Sequence, residues 1–138
     1  VVLDQIRDGT SSTLLLSELI AGGECTIRVT FGYDEGPVFS VYYGPNDRTP
    51  DSVRWCDSSD GQPDAPSPCN WVSGYTGDLG MAAGSLNKVL HTSRSLHPGG
   101  VQVALCDGSS RFVNQSIALA VWQALGTPNG GEVIGGVY

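Results

Sequence analysis

The chain has 138 residues, a length that suits one domain with a moderate hydrophobic core. Its 19 glycines and eight prolines, with only 15% charged residues, predict short strands and loops rather than long helices. A net charge of −7 argues against nucleic acid or an anionic membrane surface as a partner. The low charge density is typical of an exported protein, and the 40% hydrophobic content excludes a disordered chain.

The first third of the chain contains a turn and three predicted strands. Residues 1–9 indicate a short helical turn or extended piece that is closed by a turn. Residues 13–20 predict a buried strand, within which Glu18 needs solvent or a partner. Strict alternation over residues 25–31 predicts a half-buried strand, and residues 38–43 predict another.

Four cysteines lack the C-x-x-C spacing of zinc sites, and their even number favours two disulfides formed in an oxidising compartment. Cys56 and Cys69 lie in or beside a long loop over residues 44–68, and a bridge between them would stabilise the fold by about 3 kcal/mol. If Cys56 pairs with Cys69, the second disulfide would join Cys25 and Cys106. Sequence alone permits three pairings, and four reduced thiols are the alternative.

Asp107-Gly108 stands between two β-type runs and predicts a hairpin with a two-residue type I′ turn. In this register Val103 faces Phe112, which places the large apolar groups on one face.

The best helix candidate is 117–125, with Ser116 as N-cap and Gly126 as its end. It is apolar nearly all round, so we expect it to be buried in the fold or in an assembly.

Three aspartates of one loop, Asp57, Asp60 and Asp64, supply the oxygen ligands that calcium prefers. Their spacing differs from that of an EF-hand, and the alternative is a solvated acidic turn. Calcium is thus a candidate cofactor, and the expectation is otherwise that the protein needs none.

No catalytic residues are predicted, and we expect a protein that is not an enzyme. His91 and His97 stand in no recognisable constellation, and G-x-S-x-G does not occur. We expect both histidines to be structural, with the His97 imidazole bonded to backbone or to the Asp107 carboxylate. Asn114 begins an N-x-S sequon, which matters only in a cell that glycosylates such sites.

Several aromatic side chains could stack on sugars, but a glycine-rich domain also uses such residues to fill its core. We expect the core role for most of them. They are Trp55, Trp71, Tyr75, Tyr42 and Tyr43.

Three motifs follow one another in the chain. The first is I-R-D-G-T-S-S-T-L-L-L-S-E, from Ile6 to Glu18. The second begins at His97 and continues, after nine residues, with Asp107-Gly108-Ser-Ser-Arg-Phe-Val. The third is V-W-Q-A-L-G-T-P-N-G-G-E-V-I, from Val121 to Ile134. Together they resemble the prepilin-like surface proteins, abundant in planctomycetes, that carry a C-terminal H-x9-D-G signature and have no assigned molecular function.

The resemblance implies an α+β, mainly β fold, a pilin-like head over residues 1–138 with an antiparallel sheet and one short C-terminal helix. The family's N-terminal leader and hydrophobic helix are not in this sequence. We expect such a segment to precede Val1 or to have been cleaved, and the alternative is that this member has dispensed with it. Membrane attachment would depend on that segment alone. His97, Asp107 and Gly108 then belong to a structural motif: His97 fixes the turn before the hairpin, and Asp107 fixes its tip.

These observations predict an exported structural subunit at the cell surface. It would assemble with itself into an extracellular filament, or act as a pseudopilin of a secretion system. The alternative is a binding module for a surface glycan or another polymer, built on Trp55, Trp71, Tyr75 and the disulfide loop.

Overall fold

The computed structural model describes residues 3–22, 26, 38–53, 55–62, 64–71 and 89–131. Among these residues are two short 3-10 helices, Leu3–Gln5 and Thr10–Ser12, five strands and one α-helix. The strands are β1 (Leu14–Ser17), β2 (Asp51–Val53), β3 (Cys69–Trp71), β4 (Gly100–Leu105) and β5 (Ser110–Asn114), and the helix is α1 (Leu119–Leu125). The fold is α+β and mainly β, as predicted.

The chain divides into two compact units. The first unit comprises Val1–Glu18, Ser40–Asp47 and Thr92–Tyr138, and it contains β1, β4, β5 and α1. The second comprises Leu19–Phe39 and Arg48–His91, and it contains β2 and β3. The single domain over residues 1–138 stays a prediction.

The first unit is built on an antiparallel sheet in the order β1-β4-β5. Because side chains alternate between the two faces of a strand, Val101, Val103 and Leu105 share one face, and all three are buried. Leu14 lies opposite Leu105 on this inner face. The buried residues that α1 adds to this unit are Trp122, Ala124 and Leu125.

The predicted hairpin is present, but the predicted register is wrong by one residue. Phe112 faces Gln102 on the outer face of the sheet. The Leu105 N–H donates to the Ser109 carbonyl at 2.8 Å, so the loop between them has three residues. Gly108 donates to the Leu105 carbonyl at 2.9 Å and has a φ of 84°, as in a type I turn followed by a left-handed residue. A type I′ turn would need a positive φ at Asp107 too, and Asp107 does not have one.

The predicted strand 13–20 is present as the shorter β1 but is not fully buried, and the predicted strand 38–43 is absent. β1 lies at an edge of the described sheet, and of its leucines only Leu14 is buried. The register shifts between Leu14 and Leu16, and this irregularity leaves Leu15 and Leu16 exposed. Residues 38–43 form no strand: Ser40 makes one isolated bridge and the chain then bends. The predicted strand 25–31 lies outside the described residues apart from Thr26.

The helix begins two residues later than predicted. Its N-cap position is Ala118, whose methyl side chain cannot form a capping hydrogen bond. Ser116, the predicted N-cap, bonds instead to Asn114. Only part of its surface is buried. Gly126 ends the helix where a Cβ would lie 2.6 Å from Cγ2 of Val41, so a larger residue there would push the 41–43 segment away. Among the described residues, no helix is long and apolar enough to cross a membrane.

In the second unit, β2 and β3 pair in parallel, with Val53 opposite Trp71. β2 lies inside the stretch 44–68 that was predicted as loop. The predicted Cys56–Cys69 disulfide is confirmed, with the two Cα atoms 5.9 Å apart. The Asp57 N–H donates to the Thr26 hydroxyl at 2.8 Å and fixes the residue next to the bridge.

Candidate functional site

The first two sequence motifs meet along the edge where β1 pairs with β4. Beyond the end of the strand pair, Cys106 donates its N–H to the Thr13 carbonyl at 2.9 Å, and Asp107 donates to the Thr10 carbonyl at 3.0 Å. The hairpin tip is therefore tied to the turn that precedes β1.

Glu18 closes the other end of this strand pair with its side chain. Its N–H donates to the Gln102 carbonyl at 3.2 Å, while the Gln102 N–H donates to Glu18 Oε2 at 2.8 Å. The Glu18 carbonyl accepts instead from the Arg94 N–H at 3.0 Å. The carboxylate thus takes the place of a backbone carbonyl in the ladder at the point where the chain leaves the sheet. This is the partner that Glu18 was expected to need.

His97 binds the second oxygen of the same carboxylate, with Nε2 3.2 Å from Glu18 Oε1. This partner differs from the predicted ones, backbone or Asp107. The His97 N–H donates to the Ser95 hydroxyl, which donates to the Gly100 carbonyl at 2.7 Å. His97 therefore fixes the start of β4, and Asp107 lies beyond its end. His97 and Asp107 thus flank β4, and their joint role as a structural motif stays a prediction.

Asp107 organises the hairpin tip through Ser109. Its Oδ1 accepts both the Ser109 N–H at 2.9 Å and the Ser109 hydroxyl at 2.6 Å. Asp57 makes the same pair of bonds with Ser59 at 2.9 and 2.6 Å. In each case the serine hydroxyl, followed by its N–H, lowers the pKa of the aspartate below its ordinary value of 3.8, because both bonds favour the charged form.

Asn114 repeats this turn within the sequon. Its Oδ1 accepts the Ser116 N–H at 2.8 Å and the Ser116 hydroxyl at 2.7 Å. Asn114 is exposed at the end of β5. Its glycosylation stays a prediction.

The first motif also forms hydrogen bonds with the third. The Asp8 carboxylate accepts the N–H groups of Gly130 and Gly131 at 2.7 and 2.9 Å, one on each oxygen. The Arg7 N–H donates to the Pro128 carbonyl at 2.8 Å. The acidic residues at the two ends of the first motif, Asp8 and Glu18, thus bind backbone amides of the other two motifs.

Two residues that the sequence analysis did not single out support the same region. Asn46 has a φ of 58°, donates to the Gly100 carbonyl at 3.1 Å, and accepts the Ser95 N–H at 2.9 Å. Arg94 is buried and donates from Nε to the Asp47 carbonyl at 2.9 Å. The turn signal Gly-Pro-Asn-Asp at 44–47 could have indicated Asn46, since asparagine tolerates the left-handed region.

His91 is buried in the second unit, with Nδ1 3.1 Å from the Val38 carbonyl. Its position agrees with a structural role.

The structure does not bring the three loop aspartates into one metal-binding group, and calcium binding stays a prediction. Asp57, Asp60 and Asp64 all lie in the described part of the chain, and no group of three His, Cys, Asp or Glu side chains there could hold a metal. One Asp57 oxygen is already used by Ser59.

Cys106 is a free thiol in the structure, so the expected second bridge is not formed. Its sulfur lies in the hairpin loop, 3.8 Å from the carbonyl of Leu14 on the neighbouring strand. Cys25, the expected partner, lies outside the described residues.

The second unit brings Trp55 and Trp71 together beside the disulfide. Their rings stack, with centroids 6.3 Å apart and an interplanar angle of 22°. Both side chains are exposed, so the expected core role is wrong for them. Tyr75 lies outside the described residues. Tyr42 and Tyr43 form an edge-to-face pair in the first unit.

A scan against protein-family models matched residues 2–120 to one family, described as a protein of unknown function (DUF1559). Neither the search of curated proteins nor that of solved structures gave a match. The matched segment spans most of the chain and contains the first two motifs and their junction. The chain belongs to the DUF1559 family.

Proposed function

We propose that the protein is an exported structural subunit that assembles with itself into a filament or layer at the cell surface, or that serves as a pseudopilin of a secretion system. The observation that carries the proposal is the outer side of the β1-β4-β5 sheet. An edge strand there exposes two consecutive leucines, and Phe112 lies on the same outer face.

The three apolar side chains of this outer face are each about half exposed. Leu15, Leu16 and Phe112 are 54%, 61% and 43% exposed. Full burial of such a side chain contributes about 1.5–3 kcal/mol, so covering the remaining half of all three would contribute roughly 3 kcal/mol. That is too little for association in dilute solution, so the backbone hydrogen bonds of an added strand must supply the rest.

The backbone of β1 supplies the direction of assembly. Among the described residues it pairs with β4 on one side only, and an unpaired strand edge is a template for a further strand. β5 is the opposite edge of the described sheet, so one copy could add its β5 to the β1 of the next. Such a head-to-tail contact uses two different surfaces and continues into a filament unless its rotation closes a ring.

The motif contacts support a structural role. Polar side chains of the first two motifs bind groups within these motifs. The Glu18 carboxylate of the first motif binds His97 and the Gln102 amide of the second, and Asp107 binds Ser109 within the second. The Cys56–Cys69 bridge supports export, because disulfides persist in oxidising compartments. An extracellular or cell-surface location is part of the proposal.

Electron microscopy of the purified protein and of a matched pair of variants tests the proposal. Leu16→Lys places a charge on the outer face, and Leu96→Lys makes the same change at a position that is 80% exposed and outside the sheet. We expect ordered polymers from the wild type and from Leu96→Lys, and dispersed particles from Leu16→Lys with an unchanged circular dichroism spectrum. Dispersed monomers of the wild type under all conditions, or normal polymers of Leu16→Lys, would contradict it.

A further inference from the structure

We infer that Trp55 and Trp71 form a binding platform for a neutral polysaccharide built of pyranose rings with equatorial substituents. The inference holds whether or not the protein polymerises. It rests on the exposure of two neighbouring indoles, on their rigid attachment, and on their chemical surroundings.

The two indoles are exposed, although the same chain buries its third tryptophan, Trp122. Trp55 and Trp71 are 54% and 63% exposed, whereas Trp122 is fully buried. Their rings stack with an interplanar angle of 22°, and both remain more than half exposed, so each indole still offers aromatic surface to a ligand. Exposed apolar surface of this kind marks interaction sites more often than chance packing.

The backbone segments that carry both side chains are held by the disulfide and by strand pairing. Trp55 precedes Cys56, and Trp71 follows Cys69 by two residues, so the disulfide joins the two segments that carry them. Trp71 also lies in β3, directly opposite the buried Val53 of β2. A cross-linked backbone loses little conformational entropy on binding, which favours a weakly bound ligand such as a sugar.

The surroundings favour a sugar over an apolar or anionic partner. Ser58 and Ser59 are exposed just beyond Cys56 in the chain, whereas Asn70 lies on the face of β3 opposite Trp71. A pyranose ring with equatorial hydroxyls offers an apolar C–H face to an indole and a rim of hydroxyls to amide and hydroxyl groups. The net charge of −7 disfavours acidic polysaccharides and nucleic acids, whose bases could also stack on indoles.

Binding is tested on the full chain with cellohexaose and chitohexaose, followed by isothermal titration and by tryptophan fluorescence. Because Trp122 is buried, a ligand-induced change in emission reports chiefly on the exposed pair. The test variants are Trp55→Ala and Trp71→Ala. Tyr42→Ala is the control, since it removes an aromatic side chain that is also exposed but lies in the first unit.

We expect wild type and Tyr42→Ala to bind at least one of the two hexasaccharides with the same affinity. Each tryptophan variant should bind at least tenfold more weakly, or about 1.4 kcal/mol less favourably. Trp71→Phe should retain part of the affinity, and it serves as the second variant if Trp71→Ala fails to fold. Unchanged affinity in the tryptophan variants would overturn the inference, as would the absence of binding to both sugars. Binding to phosphatidylcholine vesicles in place of either sugar would overturn it in favour of a lipid surface.

Discussion

Replacing Glu18 with alanine should destabilise the first unit more than replacing any surface carboxylate that lacks a backbone partner. The Glu18 carboxylate accepts the Gln102 N–H at 2.8 Å and pairs with His97 at 3.2 Å. A hydrogen bond to a charged group contributes about 1.5–3 kcal/mol, and Gln102 is exposed enough for water to replace part of it. An exposed ion pair adds at most about 1 kcal/mol. We therefore expect Glu18→Ala to cost about 2 kcal/mol and His97→Ala about 0.5 kcal/mol.

Urea denaturation at neutral pH measures these costs, and amide hydrogen exchange locates them. The Gln102 amide should lose protection in Glu18→Ala and keep most of it in Glu18→Gln, because the amide oxygen of glutamine can still accept the bond. Asp4→Ala, at an exposed carboxylate in the first 3-10 helix, is the control and should match wild type. The reasoning is refuted if Glu18→Ala falls within 0.5 kcal/mol of wild type, or if His97→Ala costs as much as Glu18→Ala.

Three further changes test other parts of the structure. Gly108→Ala should cost about 1 kcal/mol, since alanine is strained at a φ of 84°, and thermal denaturation measures that cost; an unchanged melting temperature would contradict a left-handed conformation at residue 108. The pKa of Asp107 is lowered, so its charged form stabilises the fold above pH 3.8, and this contribution is lost as the pH falls through the lowered pKa. The difference in unfolding free energy between wild type and Ser109→Ala should therefore become smaller on acidification. A difference that becomes larger in acid would contradict this expectation. Cys69→Ser should lower stability by about 3 kcal/mol in the absence of reductant, and reduced wild type should match it in urea denaturation; equal stability of the oxidised wild type and the variant would contradict a structural bridge.

Local signals predicted the elements that local chemistry determines. Asp107-Gly108 located the hairpin because the turn depends on these two residues, and the cysteine pair 56/69 was recognised from the loop it closes. The register of the hairpin could not be predicted from the sequence, because a glycine at 108 suits both the two-residue and the three-residue loop. The one-residue difference then decided which face carries Phe112.

Contacts between segments that are distant in the sequence were harder to predict. The three motifs could be recognised, but not that Glu18 binds the Gln102 amide 84 residues away or that Asp8 binds the amides of Gly130 and Gly131. Burial was misjudged where tertiary context overrides composition. Leu15 and Leu16 read as core and lie exposed on an edge strand, and Trp55 and Trp71 are likewise exposed.

Self-association through the β1 edge is the central claim, and sedimentation velocity over a concentration series tests it most directly. Wild type and Leu96→Lys should shift to larger sedimentation coefficients as concentration rises, while Leu15→Lys and Leu16→Lys should remain monomeric at every concentration. A wild-type protein that sediments as a monomer throughout the series, or leucine variants that associate as wild type does, would contradict the account.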